Sequence, residues 1–270
     1  FSGVDASAAG QIESAFANAG HMIVSNARNH RMDECVPLLI PEVNPDHLGL
    51  LGQQKKRKGW AGGVVTNPNC STIVLAMALA PLRGFGIRSV IVTTLQAISG
   101  AGYPGVASYD IVGNVIPVVP GEEDKMEQET QKILGTFIED RLELHPMTVS
   151  AHTTRVPVID GHTVTVSVKF EKAPTLDELR AAFEEFTGAP QEQELPSAPK
   201  SPIVYLNAED RPQPRLDAQR GHGMTVSIGR LRECKVLDIR FVALGHNTVR
   251  GAAGAAVLNA ELLYSQGLLS

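Results

Sequence analysis

The feature that most constrains this chain is the run Ile73 to Leu82, apolar throughout and entered from Asn67-Pro68-Asn69-Cys70-Ser71-Thr72. It is about half of the ~18 to 20 residues that a membrane span needs. It reads instead as a helix buried in a core and capped near Asn69. With 270 residues, 43% of them hydrophobic and 20% charged, the chain can supply that core as one large or two modest soluble domains, and disorder and collagen are excluded. Lys and Arg number 24 against 29 Asp and Glu, a formal charge of −5, and no basic cluster is denser than Lys55-Lys56-Arg57-Lys58. Nucleic acid is therefore not expected as the main partner. Cys35, Cys70 and Cys234 are odd in number and form no CxxC pair. That argues against a disulfide framework and a structural zinc site, and for a reducing compartment such as the cytosol.

Ala8 to Ala19 carries apolar residues at helical spacing, Gly20 can end that helix, and Met22-Ile23-Val24 is extended. With the later strand Val64-Val65, this αβ unit suggests part of an open parallel sheet, whose ligands sit at the carboxyl ends of strands, here near Ser25-Asn26. The break before Cys70 reads as a domain boundary. Beyond it come a strand from Ser89 to Ala97, a glycine loop from Ser99 to Gly105 and a charged helix from Glu122 to about Ile138. Strands Met147 to Ala151 and Thr163 to Phe170 have the alternation of a half-buried sheet, and Pro174 to Phe186 is an amphipathic helix. Residues 188 to 220 hold six prolines between Pro190 and Pro214 and read as a long irregular excursion. Strands Met224 to Ile228 and Val236 to Ala243 close the sheet, and Val249 to Tyr264 is a last, Ala-rich helix. The middle region is thus an α+β domain inserted between a parallel-sheet remnant and a final helix.

Cys70 is the sharpest chemical candidate, because a turn followed by a helix sets its sulfur at a helix N-terminus, where the partial positive charge favours thiolate. The competing reading is a buried, inert cysteine. His162 follows a sharp Asp160-Gly161 turn, seven residues after Arg155. Taken alone it reads as a surface histidine in a hairpin, and Arg155 as a buried ion pair or an anion site. Together they offer an anion clamp and a general acid/base within one hairpin. Glu122, Glu123 and Lys125 open the acidic helix, where a solvated face is the ordinary reading. The glycine loop is neither a P-loop nor a dinucleotide fingerprint, though it lets a flat ring or a phosphate approach the backbone. His152 has no ligand-spaced mate and no HExxH occurs, so a metal is not expected.

The motifs SNARNHRM, VPLLIPEVNPDHL, TNPNCST, LQAISGAGYPG, GEEDKMEQET, RVPVIDGH, DRPQPRLD and GHNTVRGAAGAAVLNAE span nearly the whole chain. In that order they resemble the aspartate-semialdehyde dehydrogenase family, in its fungal and archaeal branch. The resemblance implies a remnant of a Rossmann-type parallel sheet (1–69 with 247–270). It also implies an α+β catalytic and dimerisation domain of the glyceraldehyde-3-phosphate dehydrogenase-like type (70–246). It further implies NADPH-dependent reduction of aspartyl-4-phosphate to aspartate semialdehyde and phosphate, the branch step toward lysine, threonine and methionine, in a cytoplasmic homodimer or homotetramer.

By the same resemblance Cys70 is the nucleophile, Gln96 the active-site glutamine, Arg155 the partner of the substrate carboxylate and His162 the acid/base. Gln96 and backbone N–H groups near Cys70 would hold the oxyanion. Glu122 would meet the α-ammonium, Lys125 and Arg31 the phosphate, and Asn69 would line the substrate site. Ser25, Asn26, Gly100 and Asn247 match positions that line the nicotinamide side of NADP. The family's first βαβ unit, with its glycine-rich pyrophosphate loop, has no counterpart before Phe1, so a longer natural chain is expected. The alternatives are an acyl-CoA reductase such as malonyl-CoA reductase, a catalytically silent dimerisation module and, most distant, a cysteine hydrolase.

Overall fold

The computed structural model describes residues 1–269. Helix α1 (Ala6–Asn18) is capped by the Asp5 carboxylate, which accepts the Ser7 N–H. Gly20, at φ +95°, then turns the chain into β1 (Met22–Ser25). Helix α2 (Leu50–Lys58) carries four cations in its last turn, against the negative end of its dipole, and leads to β2 (Gly63–Thr66). Strands β1 and β2 pair in parallel from Met22↔Gly63 to Ser25↔Thr66, the expected sheet remnant. Helix α3 (Cys70–Leu79) is capped by Asn69, and every residue from Ser71 to Leu79 is buried, as the apolar run requires.

Strand β3 (Ile87–Gln96) precedes a short helix α4 (Ser108–Ile111) and the acidic helix α5 (Glu122–Ile133). That helix stops short of the expected Ile138. At Gly135 a Cβ would fall 2.4 Å from the Glu143 carbonyl, and the chain instead makes a small hairpin of β4 (Thr136–Ile138) and β5 (Arg141–Glu143). Strands β6 (Thr148–Arg155) and β7 (His162–Phe170) follow. Next come α6 (Leu176–Glu184), started by a Thr175–Glu178 capping box, then α7 (Ala189–Glu192), β8 (Ile203–Leu206) and α8 (Pro214–Asp217). Strands β9 (Val226–Glu233) and β10 (Ile239–Gly245), a π-helical turn (Val249–Ala253) and α9 (Gly254–Ser265) complete the chain.

The main sheet has six strands in the order β6-β3-β7-β10-β9-β8. Two expectations change here. Residues 188–220 are not wholly irregular, because Ile203–Leu206 adds to the sheet edge in parallel with β9, beyond the reach of the flanking prolines. Nor do β6 and β7 form a hairpin: β3 lies between them, parallel to β6 and antiparallel to β7, so the 156–161 link crosses the end of β3. One face of the sheet carries the core, where Val90, Val92, Val164, Val166, Val168 and Phe241 pack with Ile73 to Leu79 of α3. Helix α9 returns to the parallel pair, with Leu258, Leu262 and Leu263 in one cluster with Val24 and Val65.

Candidate active site

Parallel pairing of β3 with β6, and antiparallel pairing with β7, bring the end of β6, the end of β3 and the start of β7 to one edge of the sheet. Arg155, Gln96-Ala97 and His162 therefore stand side by side. Asn69, at the start of α3, accepts the Ser71 and Thr72 N–H groups at 3.0 and 3.3 Å, which fixes Cys70 as the first helical residue. Cys70 Sγ then lies 3.2 Å from His162 Nε2. On the far side of the ring the Ala97 N–H donates to His162 Nδ1 at 3.1 Å, and the Ala97 carbonyl accepts from Arg155 Nη1 at 2.7 Å. Gly100 is required by this packing: a Cβ there would sit 2.7 Å from His162 Cε1 and 2.9 Å from Arg155 Nη1.

The α5 side supplies the remaining charges. Asn69 Nδ2 donates to Glu122 Oε2 at 2.6 Å, and Lys125 Nζ lies 3.1 Å from Glu122 Oε1. Two turns further along α5, Glu129 is buried; it accepts the Asn69 N–H at 2.6 Å and Arg31 Nη1 at 3.0 Å. Arg31 also donates to the Asn26 carbonyl at 2.8 Å, while its buried Nε has no partner among the described residues.

The electrostatics correct two expectations. Burial first, and then Glu122, push the Cys70 thiol up to about 11, against the smaller opposite pulls of Arg31, the Ser71 N–H and Arg155. The helix N-terminus does not make Cys70 a resting thiolate, because burial and the Glu122 charge outweigh what the Ser71 N–H and the two arginines contribute. His162 is not a surface histidine but is fully buried. Burial, Arg155 and His246 hold it down to about 3, so a neutral thiol faces a neutral imidazole.

A cleft of about 240 Å³ opens over Cys70, walled by Asn26, Arg31, Pro68, Asn69, Ser99, Gly100, Gly102, Asn247, Thr248, Gly251 and Ala252. Asn247 accepts the Gly161 N–H at 2.9 Å and donates to Ser99 Oγ at 2.8 Å, tying the turn before His162 to the glycine loop. Of the residues expected at the site, Cys70, Asn69, Arg31, Asn26, Gly100 and Asn247 line this cleft. His162 and Arg155 back it, and Glu122 and Lys125 reach it through Asn69. Two stand apart. Ser25 is fully buried with its hydroxyl bonded to Glu13, and buried Gln96 bonds Thr94 Oγ1 at 3.4 Å. Sequence reasoning missed Glu129, whose seven-residue spacing from Glu122 was the available signal. It also missed Ala97, which acts through its backbone and leaves none, and Gly251, where a Cβ would meet Cys70 Cβ at 2.7 Å.

A nucleophile with a hydrogen-bonded imidazole, an arginine beside it and a small polar cleft is a setting for acyl transfer. Known proteins agree with it. The semialdehyde dehydrogenase dimerisation domain matches residues 79–250, and the semialdehyde dehydrogenase NAD-binding domain matches residues 1–51. An aspartate-semialdehyde dehydrogenase of Archaeoglobus fulgidus is 49% identical over 269 residues, covering 100% of this chain and 77% of the relative. One from Cryptococcus neoformans is 51% identical over 279 residues, covering 100% and 76%. The solved aspartate semialdehyde dehydrogenase of Candida albicans, described with NADP, aligns with a TM-score of 0.90 at 43% identity, over 100% of this chain and 78% of that one. These relatives do not favour the acyl-CoA reductase or silent-module alternatives. Similarity this high along the full chain, in a fold that superposes on a solved relative, places the chain in the aspartate-semialdehyde dehydrogenase family.

Proposed function

We propose that the chain reduces aspartyl-4-phosphate to aspartate semialdehyde with release of phosphate, through a thioester on Cys70, in the synthesis of lysine, threonine and methionine. The observation that carries this reading is the 3.2 Å approach of Cys70 Sγ to His162 Nε2 in a cleft backed by Arg155. Cys70 attacks the acyl carbon and phosphate departs, with His162 in the acid/base position beside the sulfur. Ser71 and Thr72 N–H groups are already bonded to Asn69, so the Cys70 N–H is the donor left at this turn for the reacting carbonyl oxygen, and Gln96, buried and bonded to Thr94, would have to turn toward the cleft to join it. Arg155, held by one Nη to the Ala97 carbonyl, keeps the rest of its fork for the α-carboxylate. Glu122 meets the α-ammonium, Asn69 orients Glu122, and Lys125 with Arg31 in the cleft wall meets the phosphate.

The cofactor of this reading is NADP, as described for the Candida structure. Gly100 and Gly251 pack directly against His162 and Cys70, which keeps the wall of the cleft over Cys70 low enough for a flat carboxamide ring to approach. Asn26, Gly100 and Asn247 would hold that ring's end, with Ser25 behind them fixing the end of β1 through Glu13. When bound, NADPH supplies the hydride that turns the thioester into an aldehyde.

Residues 1–69 with 247–270 form the cofactor half and 70–246 the catalytic and dimerisation half, a division supported by the packing of α9 on β1 and β2. Two chains pair as a homodimer, and a homotetramer would pair such dimers. No helix of the described residues is long and apolar enough to cross a membrane. The three free cysteines suit a reducing cytoplasm. The test is phosphate-dependent reduction of NADP by aspartate semialdehyde, with the Cys70→Ser protein alongside. Turnover that disappears in Cys70→Ser is expected. Turnover that survives it would remove Cys70 from the chemistry, and an inert wild-type protein would overturn the substrate.

A further inference from the structure

We infer that Lys132 is a positioning residue for the phosphate end of the site: its buried ammonium gathers three backbone carbonyls of the 26–36 loop onto α5 and so sets Arg31 in the cleft wall. The inference rests on the reading of Arg31 and Lys125 as the groups that meet phosphate, and it adds the residue that fixes one against the other. Lys132 Nζ donates to the carbonyls of Arg31 at 2.7 Å, Asp33 at 2.8 Å and Val36 at 2.9 Å. An ammonium has three N–H groups and no acceptor, so all three are spent on this one loop. Lys132 is 2% exposed, and burial brings its ammonium down to about 8 against the pull of Asp33, Cys35, Glu129 and Glu34, so it is still a cation at neutral pH.

The loop has little else to hold it there. It is neither helix nor strand, and its own backbone bonds, Arg31 to Arg28, Asp33 to His30 and Val36 to Asp33, are 3.3, 3.2 and 3.1 Å long. Its side chains tie it to its own half of the chain: His30 Nδ1 lies 3.0 Å from Asp33, Lys58 donates to Asp33 at 3.2 Å and Arg57 to Glu34 at 2.8 Å. The last two are exposed pairs, which contribute little. Among the described residues the loop's polar ties to the catalytic half are Lys132 and Glu129, one on the Arg31 carbonyl and the other on its Nη1 at 3.0 Å. The main chain and the guanidinium of one residue are thus held from a single helix.

The spacing along that helix gives the clamp its use. Glu122, Lys125, Glu129 and Lys132 follow one another at intervals of three, four and three residues, which sets them on one face of α5. From first to last the rise is roughly 15 Å. The two cations read for the phosphate, one on the helix and one on the loop it clamps, therefore move as one body. Phosphate meets a prearranged pair instead of an arginine on a free loop, so less ordering is needed on binding. Arg155, the partner of the substrate carboxylate, is held from β3 through the Ala97 carbonyl and stands apart from this clamp.

Steady-state kinetics of the intact protein, in the direction that consumes phosphate, test the clamp. Lys132→Met keeps an unbranched apolar stem and loses every N–H. The KM for inorganic phosphate should rise about ten- to a hundredfold, the worth of a charged hydrogen bond, while the KM for aspartate semialdehyde stays within about twofold. Lys132→Gln, the milder change and the one to read if Lys132→Met does not fold, keeps two donors on a shorter stem and should raise the phosphate KM by less. Equal rises in the two KM values, or a fall in kcat alone, would make Lys132 a structural support only and overturn the inference. A double-mutant cycle supplies the second measurement. Arg31→Ala should raise the phosphate KM by itself, and adding Lys132→Met to it should change that KM by less than about twofold, because Lys132 acts through Arg31. Full additivity of the two effects also overturns the inference. A wild-type protein indifferent to phosphate, or Arg31→Ala with an unchanged phosphate KM, would instead defeat the reading of the phosphate site on which it rests.

Discussion

Glu129 has no place in the acyl-transfer chemistry, yet its two carboxylate oxygens hold the Asn69 N–H and the Arg31 guanidinium, one at the mouth of the Cys70 helix and one in the cleft wall. Burial raises its pKa, against the opposing pull of Arg31, so the charge persists only because both donors answer it. Glu129→Gln keeps the shape but turns an NH₂ group toward one of two donors. The expected result is a loss of about 2–3 kcal/mol in denaturant unfolding and at least a tenfold fall in kcat/KM, since a buried polar group is left opposed. Unchanged values would mean that Arg31 and Asn69 are positioned by something else. At this scale the sequence displayed Cys70, Arg155 and His162 through their motifs, because reactive side chains have to be of particular types. It misjudged the charge state of Cys70 and, taken alone, the exposure of His162. A helix N-terminus argues for thiolate only while it outweighs the loss of water around the sulfur, and neither that loss at Cys70 nor the burial of His162 is visible in residue identity.

The turn that delivers His162 depends on an element some fifty residues away. A Cβ at Gly161 would touch Pro214 and Ala218 at 3.2 Å, so α8 and its flanks form the wall behind the turn. That wall is tied by Asp217, which is buried and bonded to Arg211, to Arg220 at 2.8 Å and to the Gln213 N–H at 2.8 Å. Burial alone would raise its pKa, but these partners outweigh burial and hold the carboxyl down to about 2, from an ordinary 3.8. A depressed carboxyl contributes its full stability above the unfolded value, and the contribution is lost as pH falls through the folded one. Asp217→Asn should therefore be less stable than wild type by a constant amount above pH ~4. The gap should narrow between pH ~4 and ~2 in urea unfolding followed across that range. A gap that stayed constant down to pH ~2 would show that the carboxylate charge is not what ties the wall. Elements with strong local signals were legible: α3 through its apolar run, α6 through its amphipathic spacing after Pro174, and β7 through alternation. Strand β8 was not, since four residues between prolines carry little pattern and pair only because β9 offers an edge. The separation of β6 from β7 by β3 is a matter of pairing between distant segments, which adjacent sequence does not encode.

Across the whole molecule, the six-stranded sheet covers only one of its faces with the α3, α5 and α6 layer. The other face of β6, β3 and β7 presents Ser150, His152, Ile91, Thr93, Leu95 and Thr165, with Ile91 44% and Leu95 38% exposed. A sheet with one open face normally turns polar side chains to water there, so two large apolar groups on β3 mark the part of this face suited to a second copy. Ile91 is the informative position, because its neighbours in register are Ser150 on β6 and Ser167 on β7. An aspartate there meets small hydroxyls within its own sheet and costs the monomer about 1 kcal/mol of strand preference. In a closed interface the same carboxylate would be buried without a partner, at a cost of several kcal/mol. Ile91→Asp should therefore halve the mass measured by light scattering at micromolar concentration while leaving the far-ultraviolet dichroism unchanged. A dimer that persisted in Ile91→Asp would place the subunit contact away from the open face of β3, and the exposure of Ile91 and Leu95 would need another occupant.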